Sequence, residues 1–346
     1  MEKQSLINKD MSIQIDTDSY VDTESYLEKE PFIKDMTTLL VVPHYNNYEP
    51  NKAYDMPHGM MYVSSFLKSK GHHVDVLNLN HYSKDKLLDT LVNNNYDVVA
   101  TCGFYIHIDL MRDILETVKG HCSDTITLVG GAASTADPEF LLEELPADFM
   151  IIGEGEHTAN ELITAIQEGQ TTFRDIPGIG YMDEDNKFVN TVPRQLIENL
   201  DELPFPDYEG FEYSTYTDKY FKNSSELASI KGKAPRIGAA MITSRDCIMK
   251  CTFCFRIMGE TVNKPSSTGT YRTRSLDNVF EEINYLVDTY KINELDLMDD
   301  MFAAKPSRVI EFSERLTPYK MLWNCQLRAS SAREKVLPKM KESGCY

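Results

Sequence analysis

The sequence predicts an α/β protein in which a doubly wound parallel sheet is followed by the opening part of a parallel α/β barrel. Short, β-branched apolar runs alternate with amphipathic helical segments from Thr37 onward, and the same alternation starts again at Gly238. Between the two series lie a hairpin pattern and a proline-bearing connector. Alternating strands and helices are typical of parallel sheets, so the interruption separates two α/β units.

The first series contains five strand–helix units. Its predicted strands are 38–42, 74–77, 97–100, 125–129 and 149–152. Its predicted helices are 58–70, 84–94, 107–119, 138–145 and 157–168. Units of this kind in succession predict an open parallel sheet with helices on both faces.

The second series begins after a break in this rhythm. Residues 178–182 and 187–191 flank Asp183-Glu-Asp-Asn186 and predict a β-hairpin. The connector 201–208 carries Pro204 and Pro206, which a helix interior does not tolerate. The strands predicted beyond it are 239–243, 294–298 and 322–327, and the helices are 276–290, 306–316 and 333–342.

These patterns divide the chain into four segments. They are a polar, acid-rich extension 1–35, a sheet domain 36–170, a hairpin and connector 171–235, and an incomplete barrel 236–346. Three strand–helix units are too few to close a barrel, and they leave one flank of their sheet unpaired. The sequence is therefore expected to be a C-terminally truncated fragment.

Composition excludes several classes of protein. The net charge of the 346 residues is -19, which argues against nucleic acid as the main partner because phosphate binding requires Lys and Arg. The chain has no long apolar run that predicts a membrane span, and its first residues lack the apolar core of a secretory signal. Seven cysteines, three of them clustered, suit a reducing cytoplasm better than a disulfide framework.

The clustered cysteines are the most informative feature of the sequence. Cys247, Cys251 and Cys254 have the spacing C-x3-C-x2-C and follow a predicted strand. Cubane iron–sulfur clusters are held by cysteine thiolates, usually four of them. Three thiolates in one loop can hold three irons and leave the fourth open to a substrate or cosubstrate. A zinc site or a set of reduced core cysteines is the alternative, although zinc sites more often add a second, distant cysteine pair.

This loop resembles the signature of the radical S-adenosylmethionine (SAM) enzymes, which place an aromatic residue just before the third cysteine, as Phe253 is here. The resemblance implies that the three cysteines bind a 4Fe-4S cluster and that Phe253 lies near the adenine of SAM. It also implies that the open iron chelates SAM and that reduction of the cluster releases a 5′-deoxyadenosyl radical. The second α/β unit is then the first half of the radical SAM (β/α)6 partial barrel.

The first α/β unit resembles the Rossmann-like cobalamin-binding domain that many radical SAM enzymes carry. The matching pieces are Met56-Pro-His-Gly-Met-Met-Tyr, Gly71-His-His-Val-Asp-Val, Gly130-Gly-Ala-Ala-Ser-Thr135 and Gly153-Glu-Gly-Glu156. The resemblance implies that Gly130, Gly131, Gly153 and Glu154 line the cobalamin, although each glycine alone is as well explained by a turn or a helix cap. The D-x-H-x-x-G motif that supplies a lower histidine ligand is absent from the sequence, so cobalamin is expected to lack that ligand.

Three further residues are implicated by the same resemblance. Asp299 and Asp300 follow the second barrel strand, where the family contacts the SAM amino group, and their side chains should point in opposite directions. Arg328, just past the third strand, could pair with the SAM carboxylate. A helix cap or loop acid is the alternative for the aspartates, and a surface salt bridge is the alternative for Arg328.

The function expected from the resemblance is cobalamin-dependent methyl transfer to an unreactive carbon of a small-molecule substrate. One SAM would supply the methyl group to cobalamin and a second would supply the radical. A reducing partner such as flavodoxin or ferredoxin is implied. A cobalamin-assisted or cobalamin-free radical rearrangement, cyclisation or oxidation is the second hypothesis, and a non-catalytic cobalamin-binding or redox module is the third.

Overall fold

The computed structural model describes most of the two α/β units. The described residues are 36–45, 54–83, 85–221, 236–249, 251, 254, 271–331 and 334–346. The predicted extension 1–35 lies outside them, as does Phe253.

The first sheet has the predicted parallel strands at its centre. They are β1 Thr37–Val42, β2 His73–Asn78, β3 Val98–Cys102, β4 Ile126–Gly130 and β5 Phe149–Ile151. Their order is β2-β1-β3-β4-β5, and all of these pairs are parallel. This doubly wound order reverses direction between β1 and β3, so the crevice for a ligand opens at the carboxyl ends of those strands.

Helices cover the sheet, as the sequence predicts. They are α1 His58–Ser69, α2 Lys86–Asn93, α3 Ile108–His121, α4 Ala132–Ala136, α5 Pro138–Glu144 and α6 Gly155–Gln167. The short helix α4 was not predicted. It is separated from α5 because the Asp137 side chain accepts a hydrogen bond from the Phe140 N–H and Pro138 begins a new helix.

The predicted hairpin belongs to the first sheet. Its strands are β6 Ile179–Met182 and β7 Phe188–Asn190, and β6 pairs antiparallel with β5. The sequence analysis assigned this hairpin to the connecting segment. Without β6, the second edge of β5 would expose unpaired backbone N–H and carbonyl groups, and the pairing with β6 satisfies them. The sheet is therefore seven-stranded and mixed, with two antiparallel strands at one edge.

The second sheet contains the three predicted barrel strands. After the connector helix α7 Tyr213–Tyr216, the chain forms β8 Gly238–Met241, the ribbon strands β9 Ser244–Arg245 and β10 Arg272–Thr273, α8 Leu276–Tyr290, β11 Glu294–Leu297, α9 Pro306–Leu316, β12 Leu322–Cys325 and α10 Leu337–Glu342. Strands β8, β11 and β12 are parallel, with β11 in the middle. Helix α10 starts later than predicted, at Leu337.

The sequence analysis expected one flank of this sheet to be unpaired. In the structure, side chains from other elements cover the flank of β8. The His58 imidazole, on α1, bonds to the Ala240 carbonyl at 2.8 Å, and the Tyr213 hydroxyl donates to the Gly238 carbonyl at 3.1 Å. These side chains satisfy the backbone groups that an edge strand exposes. On the other flank, residues 344–346 run beside β12, where the Trp323 N–H donates to the Gly344 carbonyl.

The two sheets share a continuous apolar core. Leu40 and Leu128 of the first sheet belong to the same cluster of buried side chains as Leu295 and Trp323 of the second. Trp323 is fully buried, and its ring contacts that of Phe312 at 5.3 Å between centroids. The interface therefore stabilises both units through burial of apolar surface.

Gly131 provides a test of how the loops after β3 and β4 pack. Its φ of +92° is rarely adopted by other residues, and an added Cβ would lie 3.2 Å from the Gly103 carbonyl oxygen. We expect Gly131→Ala to lower the free energy of unfolding by about 1–3 kcal/mol. Gly59→Ala, on an exposed face of α1 with open space at its Cβ, should instead raise it by about 0.5–1 kcal/mol. Urea denaturation measures both, and equal effects would contradict this interpretation.

Candidate functional site

The cysteine loop begins at the carboxyl end of β8, as the sequence predicts. Strands β9 and β10 form an antiparallel ribbon at the base of the loop. Cys247, Cys251 and Cys254 are free and partly buried, and a hydrogen bond of 2.9 Å from the Cys254 N–H to the Cys251 carbonyl forms a tight turn between them. The Cys247 Sγ lies 4.0 Å from the Met301 Sδ. The first thiol of the loop therefore lies beside the chain that follows β11.

The chemistry of these donors fits an iron–sulfur cluster. Three free thiols on one loop are the ligand type that cubane clusters require, and in such a cluster each thiol would bind a different iron. Within the described part of the chain, no three Cys, His, Asp or Glu side chains are grouped to hold a single metal ion.

A buried ionic cluster joins the base of this loop to the first sheet. Its centre is Glu154, in the glycine-rich turn between β5 and α6. The Glu154 carboxylate accepts hydrogen bonds from Arg245 Nη1 at 2.9 Å and from both Arg272 Nη atoms at 3.0 Å. It also accepts the Ile197 N–H at 2.8 Å. Both oxygens of Glu154 are thus occupied by groups of the protein.

Two further carboxylates complete the cluster. Glu156 accepts Arg245 Nη2 at 2.5 Å and is 2% exposed. Asp246 accepts Arg272 Nε at 2.8 Å and Nη2 at 2.5 Å. The Arg245 guanidinium also lies over the Tyr62 ring at 5.2 Å. Arg272 is therefore held by one carboxylate from each α/β unit, and Arg245 by two carboxylates of the first unit. The two parallel bonds between Arg272 and Glu154 have the geometry in which guanidinium groups bind carboxylates most strongly.

The electrostatics of the cluster favour its charged form. Burial by itself raises the pKa of Glu154, but Arg245 and Arg272 outweigh this effect and lower the pKa below its ordinary value. Burial acts to lower the pKa of Arg245, and Glu156 and Glu154 raise it above its ordinary value instead. The paired charges compensate one another for the loss of water.

Asp299 points inward and holds the start of the cysteine loop. Its carboxylate accepts four hydrogen bonds, from the N–H and hydroxyl of Thr243 at 2.6 and 2.6 Å and from those of Ser244 at 3.1 and 2.7 Å. Burial raises the pKa of Asp299, while these hydrogen bonds act in the opposite direction. A contact of Asp299 with SAM would require one of these bonds to be given up, and it stays a prediction.

Asp300 and Arg328 are exposed near the carboxyl ends of β11 and β12. The two neighbouring aspartates do alternate in direction, as predicted, since Asp299 is 1% exposed. Sequence analysis missed Arg308 on α9, whose Nη2 donates to the Thr243 carbonyl at 3.3 Å. Burial lowers the pKa of Arg308, and Asp299 acts to raise it. The roles of Asp300 and Arg328 toward SAM stay predictions.

The glycine-rich turns of the first sheet lie at the carboxyl ends of its strands. Gly130 ends β4, Gly131 follows it with positive φ, and Gly153 follows β5 with φ +80°. At the same edge, the turn after β3 presents Phe104 and Ile106, which are 61% and 85% exposed. Sequence analysis missed this apolar pair, although three consecutive apolar residues after a predicted strand were a usable signal. The lining role of these glycines stays a prediction.

His58 is buried and has both ring nitrogens engaged. Nδ1 lies 3.0 Å from the Met56 carbonyl and Nε2 lies 2.8 Å from the Ala240 carbonyl. The imidazole is engaged at the flank of β8 through the contact with Ala240. Neither ring nitrogen is therefore open to a cobalt ion, in keeping with the absent D-x-H-x-x-G motif.

Comparison with known proteins supports the expected cobalamin-binding domain and the expected radical SAM unit. Residues 54–163 match the family model of the B12 binding domain. An uncharacterized methyltransferase of Pyrococcus horikoshii is 31% identical over 236 residues, which cover 67% of this chain and 46% of that protein. The anaerobic magnesium-protoporphyrin IX monomethyl ester cyclase of Rubrivivax gelatinosus is 26% identical over 321 residues, which cover 89% of this chain and 54% of that protein.

A solved structure has the same fold. The radical SAM methyltransferase TsrM of Kitasatospora setae, in a structure with cobalamin and a [4Fe-4S] cluster bound, superimposes with a TM-score of 0.65 at 18% identity. The match covers 90% of this chain and 58% of TsrM. The chain spans about half the length of the curated relatives named above. These findings confirm the resemblance: residues 54–163 match a B12 binding domain, and the chain is similar to radical SAM proteins that carry one. Along its described residues, none of the helices is long and apolar enough to cross a membrane.

The two aspartates after β11 should differ sharply in their effect on stability. Asp299→Ala leaves two buried backbone N–H groups without their acceptor, and we expect it to lower the free energy of unfolding by about 2–4 kcal/mol. Asp300→Ala, at an exposed position, should change it by less than about 0.5 kcal/mol. Urea denaturation of the two variants measures the difference. Equal losses would contradict the loop-holding role of Asp299.

The stability contributed by Glu154 should depend on pH. The lowered pKa of this group means that its contribution is present above the unfolded pKa of about 4.3 and is lost as pH falls through the lower, folded value. We expect Glu154→Gln to cost about 3 kcal/mol at pH 7 and progressively less below about pH 4. The free energy of unfolding of the cofactor-free protein, measured against pH, checks this. If the loss in free energy of unfolding caused by Glu154→Gln did not change with pH, the charge of Glu154 would not be the source of its stabilising effect.

Proposed function

We propose that this chain is the cofactor-binding part of a cobalamin-dependent radical SAM methyltransferase that acts on an unreactive carbon of a small molecule. The observation that carries the proposal is the Glu154 cluster, because it joins a glycine-rich turn of the B12 binding domain directly to the base of a three-cysteine loop. The two cofactor sites would then lie close together at one interface.

Cys247, Cys251 and Cys254 would hold a 4Fe-4S cluster whose fourth iron is free to chelate SAM. In its reduced state such a cluster supplies an electron that cleaves SAM and yields a 5′-deoxyadenosyl radical. The chain itself contributes the base of the loop, which Asp299 and the β9–β10 ribbon hold in place. Asp300, Arg328 and Phe253 are the proposed contacts for the amino group, carboxylate and adenine of SAM.

Cobalamin would bind across the carboxyl ends of the first sheet and would supply a methyl carrier. The positive φ of Gly131 and Gly153 lets the backbone approach a ligand closely at this edge, and exposed Phe104 and Ile106 offer an apolar surface for the corrin. Because His58 is engaged with backbone carbonyls, cobalamin would bind without a lower histidine ligand from this position.

Methyl transfer is favoured by two of the relatives described above, whose names identify them as methyltransferases. A reducing partner such as flavodoxin or ferredoxin would supply the electron that the cluster requires. Cyclisation is the second candidate, because the cyclase of Rubrivivax gelatinosus matches a larger share of this chain than the Pyrococcus methyltransferase does.

The first test is cofactor retention by the anaerobically purified protein after reconstitution with iron, sulfide and hydroxocobalamin. We expect stoichiometric cobalamin and a cluster that cleaves SAM to 5′-deoxyadenosine in the presence of dithionite. Cys254→Ala should lose the cluster and the cleavage but retain cobalamin, because the mutated thiol lies outside the first sheet. A folded protein that retains no cobalamin would contradict the proposal.

The second test separates methyl transfer from cyclisation. With substrate supplied, methyl transfer produces S-adenosylhomocysteine together with 5′-deoxyadenosine, since one SAM gives its methyl group and the other gives the radical. A cyclase would produce 5′-deoxyadenosine without S-adenosylhomocysteine. Chromatography of the two products therefore decides between the candidates.

A further inference from the structure

The base of the cysteine loop places two positively charged side chains next to each other. Arg245 of β9 and Arg272 of β10 are directly opposite each other in the antiparallel ribbon. Like charges at opposite positions destabilise a strand pair, so the ribbon requires carboxylates close by. The described residues that meet this need are Glu154 and Glu156 of the first sheet and Asp246 of the loop itself.

Glu154 contacts both arginines. Its two oxygens receive Arg272 as a fork and Arg245 by one nitrogen. The fork geometry fixes the plane of the Arg272 guanidinium, because two parallel hydrogen bonds leave little rotational freedom. Arg272 is 8% exposed, so water is a poor substitute for the lost partner.

Arg272 in turn fixes the residue before the first cysteine. Its Nε and Nη2 hold the Asp246 side chain, and Asp246 has a φ of +76°. That backbone conformation is unfavourable for a residue with a Cβ and persists only where the surroundings enforce it. The next residue is Cys247, so the direction in which its thiol leaves the ribbon depends on this bend.

We propose that Glu154 is a positioning residue for the cysteine loop, which sets the orientation of Cys247 through Arg272 and Asp246. The inference rests on the proposed function and deepens it. Because Glu154 lies between Gly153 and Gly155, occupation of the cobalamin site at this turn would be communicated to the cluster ligands. Glu154 thus acts through the arginines rather than by lining the corrin with its carboxylate.

The direct test is the alkylation rate of each cysteine in the reduced, cofactor-free protein, measured by mass spectrometry. We expect Glu154→Gln to raise the rate at Cys247 by about five-fold or more, the lower range of typical coupling between sites. Cys102, partly buried beside Tyr45 in the first sheet, and the exposed Cys122 should react as in the wild type. Arg272→Lys, which keeps the charge but not the fork, should behave like Glu154→Gln.

Glu161→Gln is the matched control. Glu161 is a carboxylate on the same helix α6, and its ion pair with Arg194 lies away from the cysteine loop. It should leave the rate at Cys247 unchanged. The inference is overturned if Glu154→Gln leaves the alkylation rate of Cys247 unchanged. It is also overturned if the alkylation rate of Cys102 rises by the same factor, since that would indicate general loosening of the fold.

A second measurement uses the loaded protein. Bound cobalamin should slow the release of iron to a chelator by about five-fold or more in the wild type. In Glu154→Gln, the ratio of the iron-release rates without and with cobalamin should fall to near one. An undiminished ratio in the variant overturns the communication between the sites. If the wild type binds no cobalamin, the proposed function fails, and the alkylation rates still decide the positioning role.

Discussion

The structure depends on the need to pair charges that are buried between its two α/β units. Arg245 and Arg272 lie opposite each other in one ribbon, and among the described residues of the second unit Asp246 is the carboxylate that pairs with them. Glu154 and Glu156 of the first sheet supply the other charges. Removing one partner while the units stay packed would leave a buried charge uncompensated, which costs about 3–5 kcal/mol. Apolar burial stabilises the interface, and the ion pairs determine its register.

A second buried network repeats the principle next to the first, because Tyr62, which lies under Arg245, also accepts a hydrogen bond from Arg274. Arg274 pairs with Glu282 of α8, and Glu282 also accepts a hydrogen bond of 2.5 Å from the Tyr208 hydroxyl of the connector. Arg274 further donates to the Ile242 carbonyl at 3.0 Å. The connector is therefore part of the interface rather than a passive link. With His58 and Tyr213 on the flank of β8, these contacts explain how so short a barrel segment is held in a defined place.

The sequence was informative where local patterns determine the structure. Apolar periodicity located the parallel strands and most helices, and cysteine spacing located the loop. It failed where long-range pairing decides. The hairpin 179–190 was recognised, but its pairing with β5 depends on an edge that no local pattern reveals. The role of Gly153-Glu-Gly-Glu156 in lining cobalamin stays a prediction, but no local pattern revealed that the partners of Glu154 lie 91 and 118 residues further along the chain.

The central claim is that the two cofactor sites are held against each other at this interface. The most direct measurement is the electron paramagnetic resonance spectrum of the reduced protein that contains both a 4Fe-4S cluster and cobalt(II) cobalamin. Two paramagnetic centres at close range broaden each other's signals and speed each other's relaxation. The account predicts that the cobalt signal changes when the cluster is reduced. A spectrum that is the simple sum of the two separate signals would contradict it.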